Sequence, residues 1–256
     1  MRSVVEGVLM DPEAREPLGA PGHAVDAGKT REPLLKLVHV WRSFGAVSGD
    51  SSPDGYRRWG RFTCPSGGSW PQCSYTQRPL GAPSVFNFYL PDYQAPGEIT
   101  DLDLYSPELQ ILNESSVVLA ANDLYTQICS GRGSSNNCHD QLTSPPPSDR
   151  AYFPNESLDD LPNSGCGTTC TGQQDTNLIE EINLRLLSGN MSGEINAPND
   201  PANTTLNTGM KGVLLRLLQL GITGDLGESV ARQARRREML YLIHLVAISP
   251  EYDMQR

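Results

Sequence analysis

The sequence is poor in basic residues: 20 Lys and Arg stand against 30 Asp and Glu, which gives a formal net charge of −10. A nucleic-acid-binding surface needs clustered Lys and Arg to neutralise phosphates, so this balance argues against nucleic acid as a partner. One basic run does occur, with four arginines between Arg232 and Arg237. We expect this run to form the solvated face of a helix.

Long apolar runs are also missing. The longest run, Met239–Ile248, has about half of the ~18 apolar residues that a membrane-spanning helix needs. We therefore expect a buried helix there and no membrane span. The amino terminus has no apolar signal-peptide region, because Glu6 interrupts the first apolar residues at once.

The usual catalytic signatures are absent, including the nucleophile elbow, the P-loop, the zinc-protease motif and the dinucleotide-binding glycines. His39 and His244 lie within apolar helical patterns, so we expect hydrogen-bonded core histidines. Asp101, Asp103 and Glu108 have a spacing that suits a hard cation, but they lack the oxygen count and the glycine of a calcium loop. The sequence therefore predicts no metal site and no cofactor; it identifies no catalytic residue and leaves open whether the protein is an enzyme.

Apolar residues recur at helical spacing along the chain, whereas strand signals are nearly absent, so we predict an all-α fold. We expect Thr30 to cap a helix that contains Pro33, Ser106 to start a helix that continues to about Cys129, and Asp175 to cap another. Further helices are predicted at Arg2–Met10, Val213–Leu220 and Glu228–Ile248. The predicted organisation is a single helical domain over residues 1–256, with loop insertions at about 47–80, 130–174 and 190–209.

The cysteines form three local pairs in Gly-, Ser-, Pro- and Asn-rich sequence: Cys64 with Cys73, Cys129 with Cys138, and Cys166 with Cys170. We predict local disulfides, each stabilising its short loop by about 2–3 kcal/mol. Other pairings stay open, because six cysteines allow 15 of them. Zinc binding and free thiols are the alternatives, although no C-x2-C pair is present. Disulfides belong to an oxidising compartment, so we expect a periplasmic or extracellular protein whose export signal lies upstream of this sequence.

The segment Gly81–Tyr93 is dense in large apolar side chains and holds two prolines. When buried, each such side chain contributes roughly 1.5–3 kcal/mol, so we expect either a core plug between helices or the wall of a groove for a sugar or peptide. The prolines favour the core plug, because they fix the segment as a wedge. The candidate binding residues of such a groove are Trp41, Phe86, Phe88, Tyr89 and Tyr93.

Five stretches, in order along the chain, carry a resemblance to a known family. They are VVEGVLMDPEAR (4–15), REPLLKLVHVWRSFGA (31–46), GAPSVFNFYLPDY (81–93), SPELQILNESSVV (106–118) and LYLIHLVAISPEYDMQR (240–256). Together they resemble the C-terminal portion of the bacterial family called domain of unknown function 1800. Members of that family are usually longer, with a signal peptide and a further helical region. The resemblance therefore implies a fragment, a start that lies further upstream, or a missing half on a separate polypeptide.

The resemblance implies no established activity. Genes of this family often stand beside a family of alkaline phosphatase-like or sulfatase-like proteins, so it implies a partner of that kind. The leading hypothesis is an exported, non-catalytic helical protein with an interaction or structural role. The alternative is a hydrolase on polymers or sugars whose catalytic residues lie partly in a missing N-terminal region. A third possibility is that this chain has no independent function.

Overall fold

The computed structural model describes residues 2–11, 29–48, 76–77, 81–129, 151–164, 166, 170–220 and 231–255. The helices are α1 Arg2–Leu9, α2 Pro33–Ser43, α3 Glu98–Asp101, α4 Glu114–Cys129, α5 Asn155–Asp159, α6 Gly172–Leu187, α7 Gly209–Leu220, α8 Ala231–Ala247 and α9 Pro250–Asp253, with a 3₁₀ helix at Pro107–Gln110. Four two-residue strands form two antiparallel pairs: β1 Lys29–Thr30 with β4 Met254–Gln255, and β2 Val47–Ser48 with β3 Ala151–Tyr152. The predicted all-α class is confirmed.

The core is centred on α6 and α8. Helix α8 packs against α4, α5 and α6, while α6 also packs against α2 and α7. On α8, Leu240, Ile243 and Ala247 follow one another at helical spacing, and a second buried stripe runs beside them through Leu242 and Val246. A helix with two such stripes is covered by neighbours on more than one side. The predicted buried helix in this apolar run is confirmed.

Helix α6 begins one turn earlier than the sequence suggested. Thr171 is its N-cap: the Thr171 side chain accepts from the backbone N–H of Gln174, and the Gln174 side chain accepts from the N–H of Thr171 at 2.8 Å. This reciprocal pair is a capping box. The predicted cap, Asp175, is wrong, because it lies inside the first turns and is buried.

Helix α2 has Pro33 in its first turn, as predicted, but Thr30 is not its cap. Glu32 occupies the N-cap position without a side-chain cap, and Thr30 lies in β1, where it pairs with Met254. The backbone N–H of Arg31 also donates to the carbonyl of Asp253 at 2.6 Å. The entry to α2 is therefore joined to the end of the chain by backbone hydrogen bonds.

The helix predicted from Ser106 to Cys129 is two elements, the 3₁₀ helix and α4. Between them, the Asn113 side chain accepts from the N–H of Ser116, and the Ser116 hydroxyl oxygen accepts from the N–H of Asn113, both at 2.8 Å. These side chains supply the hydrogen bonds that a continuous helix would otherwise provide. The single-helix prediction is wrong for that reason.

Two predicted loop insertions contain regular structure. In the 130–174 insertion, the loop prediction is wrong at β3, at α5 and at the first turn of α6, and Phe153, Leu158 and Leu161 lie in the core. Residues 130–150, 165 and 167–169 lie outside the described part. In the 47–80 insertion, β2 occupies the first two residues, while 49–75 and 78–80 lie outside the described part. The 190–209 loop is irregular as predicted up to α7, and the buried Asn207 holds it by donating to the carbonyls of Ala197 and Asp200 at 2.9 and 2.8 Å.

The predicted local disulfide between Cys166 and Cys170 is present, just before the cap of α6. Cys129, at the buried end of α4, is also disulfide-bonded. The remaining cysteines, Cys64, Cys73 and Cys138, lie outside the described residues, so their pairing stays a prediction.

Candidate binding surface

The aromatic segment Gly81–Tyr93 lies on the surface and is not a core plug. Val85 is 94% exposed, Phe86 55% and Leu90 48%, while Phe88, Tyr89 and Tyr93 are half-buried. Trp41 is separate from the other candidate binding residues, because it is buried in the core on α2. The prediction of a buried wedge is therefore wrong.

The exposure of Val85 and Phe86 has a local cause. Ser84 and Asn87 form an antiparallel bridge, the Phe86 N–H donates to the Ser84 hydroxyl at 3.1 Å, and Asn87 has a φ of 69°. The chain therefore reverses within four residues, and asparagine tolerates the left-handed conformation that the reversal requires. The two middle residues of such a turn project away from its ends, which places the Val85 and Phe86 side chains in solvent.

Glu32, just ahead of α2, anchors this turn to the helical domain. Its Oε1 accepts from the Tyr89 hydroxyl at 2.8 Å, and its Oε2 accepts from Nε2 of Gln77 at 2.6 Å. Gln77 in turn accepts from the N–H of Leu34 at 3.1 Å. Burial, followed by the hydrogen bond to Glu32, raises the pKa of Tyr89 to about 12. The Tyr89 hydroxyl therefore stays protonated and donates at any physiological pH.

A second set of contacts holds the segment against the region before α4. The Leu90 N–H donates to Oε1 of Gln110 at 2.6 Å, the Ser106 N–H donates to the Tyr93 carbonyl at 2.8 Å, and the Ala95 N–H donates to the Ser106 hydroxyl at 3.0 Å. We call residues 81–113 the acidic lobe, because they include five Asp or Glu and no Lys, Arg or His. Additional apolar side chains of this lobe are more than half exposed: Leu102, Leu104 and Tyr105.

Arg31 joins α2 to the end of the chain, next to the Glu32 anchor. Its guanidinium lies 4.3 Å from the centre of the Tyr252 ring, and its Nη1 is 2.5 Å from Nδ1 of His39. Burial, and then the charge of Arg31, lower the pKa of His39, so the neutral ring accepts the hydrogen bond. The Tyr252 hydroxyl donates to the Lys36 carbonyl at 2.8 Å. The predicted hydrogen-bonded histidine is confirmed at His39.

His244 differs from His39. Burial lowers its pKa to about 4, and its Nδ1 makes no hydrogen bond to any group in the described part of the chain. The ring lies edge-on to Tyr125, with the two centroids 5.2 Å apart. The predicted hydrogen bond is therefore missing at this nitrogen, and the neutral ring serves as a packing group.

Two arginines of the basic run on α8, Arg235 and Arg237, are buried, which contradicts the predicted solvated face for this part of the run. Arg235 is 1% exposed, and its Nη1 lies 2.9 Å from Oδ1 of Asp175 and 3.0 Å from Oε2 of Glu238. Arg237 is also buried, and Arg236 donates to Asp159 on α5 at 2.8 Å through Nε. Arg235 and Arg236 therefore pair with acids of the same chain.

The Asp175–Arg235–Glu238 cluster lines a cavity of about 360 Å³, together with Thr171 and Gln219. Burial raises the pKa of both carboxyl groups and outweighs the opposing effect of Arg235 on each. Both carboxylates contact the same nitrogen, at 2.9 and 3.0 Å, so these oxygens lie within about 6 Å of each other. Sequence reasoning missed this cluster, because Asp175 on α6 is far along the chain from Arg235 and Glu238 on α8.

The sequence predicts no metal site at Asp101, Asp103 and Glu108. Asp103 accepts from Nε2 of Gln94 at 3.0 Å, and no group of three potential metal ligands occurs among the described residues. None of the helices in the described ranges combines the length and the apolar content needed to cross a bilayer. A scan against protein-family models, a search of curated proteins and a search of solved structures each give no match.

Proposed function

We propose that this protein is an exported, non-catalytic helical protein that binds a partner protein through the acidic lobe. The observation that carries the proposal is the exposure of Val85 and Phe86 at the tip of an anchored turn. Grouped apolar side chains that are exposed on a protein surface mark interaction sites more often than chance. The anchors also reduce the conformational freedom that binding would otherwise remove, which favours affinity.

The disulfide between Cys166 and Cys170 supports export, because such bonds persist in oxidising compartments. Both cysteines are half-buried, so a reducing environment would have access to them. A periplasmic or extracellular location is therefore part of the proposal.

The contacts of α2 bear on the family resemblance. Arg31 contacts Tyr252, and Glu32 accepts from Tyr89, so three of the five resembling stretches meet at the start of one helix. These contacts support the interpretation that the stretches form one structural unit. We propose that the chain is related to the domain of unknown function 1800. On that basis the proposed partner is an alkaline phosphatase-like or sulfatase-like protein.

Photo-crosslinking in the native host tests the proposed function. Phe86 is replaced by benzoylphenylalanine, and Leu184, which is 63% exposed on α6, is replaced in the same way as a matched control. We expect irradiation to give one main protein adduct from position 86 and none from position 184. Mass spectrometry then identifies the adduct. Equal labelling from both positions, or none from position 86, would refute a binding role for the turn.

A hydrolase is the second candidate, and the acidic cavity is the observation that favours it. Glycoside hydrolases use two carboxyl groups about 5–9.5 Å apart, one of them with a raised pKa. Burial raises the pKa of both Asp175 and Glu238, and their oxygens lie within about 6 Å of each other. Arg235 lies between them and compensates their charge, which places this candidate second. Incubation of the protein with a panel of polysaccharides tests it. Sugar release that is lost in Glu238→Gln, while the thermal unfolding midpoint is retained, would replace the leading proposal.

A further inference from the structure

The acidic lobe has a one-sided charge. It carries Asp92, Glu98, Asp101 and Asp103 in addition to Glu108, and no basic residue. In the described part of the chain, no ion pair joins the first four of these carboxylates to a Lys or Arg. The lobe therefore presents negative charge that the rest of the described chain does not neutralise locally.

Several carboxylates outside the lobe pair with a Lys or Arg. In the helical core, Glu180 pairs with Lys211 at 2.7 Å and Glu181 pairs with Arg185 at 2.7 Å. Asp253 pairs with Lys36 at the end of the chain. Among the described residues, these cations lie on the helices and near the terminus, and none of them pairs with Asp92, Glu98, Asp101 or Asp103.

The charge and the apolar tip belong to the same anchored unit. Leu90 and Tyr93 connect the turn that carries Val85 and Phe86 to the segment that contains Asp101 and Asp103, through the hydrogen bonds to Gln110 and Ser106. A partner that covers the tip therefore binds a unit that also carries these carboxylates, whose field extends over about 8 Å at physiological salt. Apolar contact and charge therefore act on the same occupant.

We propose that the occupant of the lobe is a different protein whose surface has an apolar pocket bordered by Lys and Arg. The pocket takes Val85 and Phe86, and the basic border faces the carboxylates. This inference rests on the proposed function and adds the chemistry of the partner. Contact between the aromatic tip and the pocket mainly affects the dissociation rate. Complementary charge around the pocket mainly affects the association rate.

The same charges disfavour the other possible occupants. An anionic membrane or a nucleic acid repels a surface that lacks cations. A second copy of the lobe would place like charges opposite one another, which suppresses pairing between identical surfaces. The experiments below include a result that would identify a second copy and a result that would identify a membrane.

The test selects a phage-displayed library of random peptides on the purified, disulfide-intact chain. The double variant Val85→Ser/Phe86→Ser is used for counter-selection, and Leu184→Ser serves as the control for loss of an exposed apolar group. Far-UV circular dichroism and the thermal midpoint establish that both variants fold. We expect peptides that require Val85 and Phe86 to combine Lys or Arg with aromatic or branched apolar residues.

The affinity of a synthesised, selected peptide then separates the two contributions. We expect V85S/F86S to weaken binding at least about tenfold. The variant Asp92→Asn/Asp101→Asn, which removes two of the five negative charges, should slow association several-fold at low salt, with a smaller difference at high salt. Selected peptides without an excess of Lys and Arg, or binding that does not respond to salt, would overturn the basic border and leave the proposed function standing.

Three other outcomes overturn the choice of occupant. A selection that gives no peptide dependent on Val85 and Phe86 would refute both this inference and the lobe as a binding face. Dimerisation in sedimentation experiments that is lost in V85S/F86S would identify a second copy. Binding to vesicles of phosphatidylcholine, or of phosphatidylcholine with phosphatidylglycerol, that is lost in the same variant would identify a membrane surface.

Discussion

Removal of Arg235 should be one of the most damaging single changes in the described part of the chain. Arg235 is 1% exposed and contacts the carboxylates of Asp175 and Glu238 at 2.9 and 3.0 Å. Arg235→Met keeps much of the side-chain volume but leaves two buried carboxylates uncompensated. Breaking a buried ion pair on one side costs about 3–5 kcal/mol. This is a large part of the about 5–15 kcal/mol by which domains are stable.

The loss should depend on pH in a defined direction. Burial raises the pKa of Asp175 and of Glu238 in the folded state. Their contribution to the free energy of unfolding is therefore most favourable when both are protonated, and it falls as the pH rises through their folded-state pKa. Arg235 opposes this effect by lowering both pKa values. Without it, we expect the deficit of R235M to be largest near neutral pH and to shrink towards about pH 5.

Urea unfolding followed by circular dichroism measures this effect in wild type and R235M at both pH values. Arg42→Met is the control, because Arg42 is exposed on α2 and should change stability by less than about 0.5 kcal/mol. The triple variant D175N/R235M/E238Q removes every charge and should recover most of the loss. A deficit in R235M below about 1 kcal/mol, or one that does not change with pH, would refute the reasoning.

Three further predictions concern other parts of the described chain. Burial lowers the pKa of His244 to about 4, so the unfolded state binds the proton before the folded state does as the pH falls below about 6.5. The thermal midpoint of wild type should therefore fall below this pH, and that of His244→Phe should fall less. Tyr89→Phe removes the hydrogen bond to Glu32, so it should lower the stability of the segment by about 1 kcal/mol and speed protease cleavage within 81–95. Tyr105→Phe, at an exposed site, is the control and should change neither the cleavage rate nor the thermal midpoint. Thiol alkylation of the natively purified protein should leave Cys166 and Cys170 unmodified until a dithiol reductant is added, and modification of both before reduction would contradict the proposed export.

Local patterns in the sequence were sufficient for the fold class. The apolar spacing along α2, α6 and α8 predicted helices that the structure contains, because the side chains that each helix buries recur about every 3.6 residues in the sequence. The same spacing did not reveal the break before α4. That break depends on hydrogen bonds from Asn113 and Ser116, which compete with the helix and leave no trace in the apolar pattern.

The candidate site was located by the sequence but described wrongly. The density of apolar residues in 81–93 marked this segment, yet composition alone does not distinguish a buried wedge from an exposed turn. The distinction came from the turn at Ser84–Asn87 and from the Tyr89–Glu32 hydrogen bond, which joins residues 57 positions apart. The burial of Arg235 was equally invisible, because its partner Asp175 lies on another helix.

The sequence by itself determined the helical class, the scarcity of cations and the presence of five acids without a Lys, Arg or His in residues 81–113, because these follow from residue type and spacing along the chain. Only the tertiary structure decided which apolar and charged side chains are buried. Burial depends on neighbours that the fold brings from distant positions, as Arg31 shows by contacting Tyr252 and Arg235 by contacting Asp175. The burial of Arg235 follows from that long-range packing, whereas the exposure of Phe86 follows from the local turn at Ser84–Asn87.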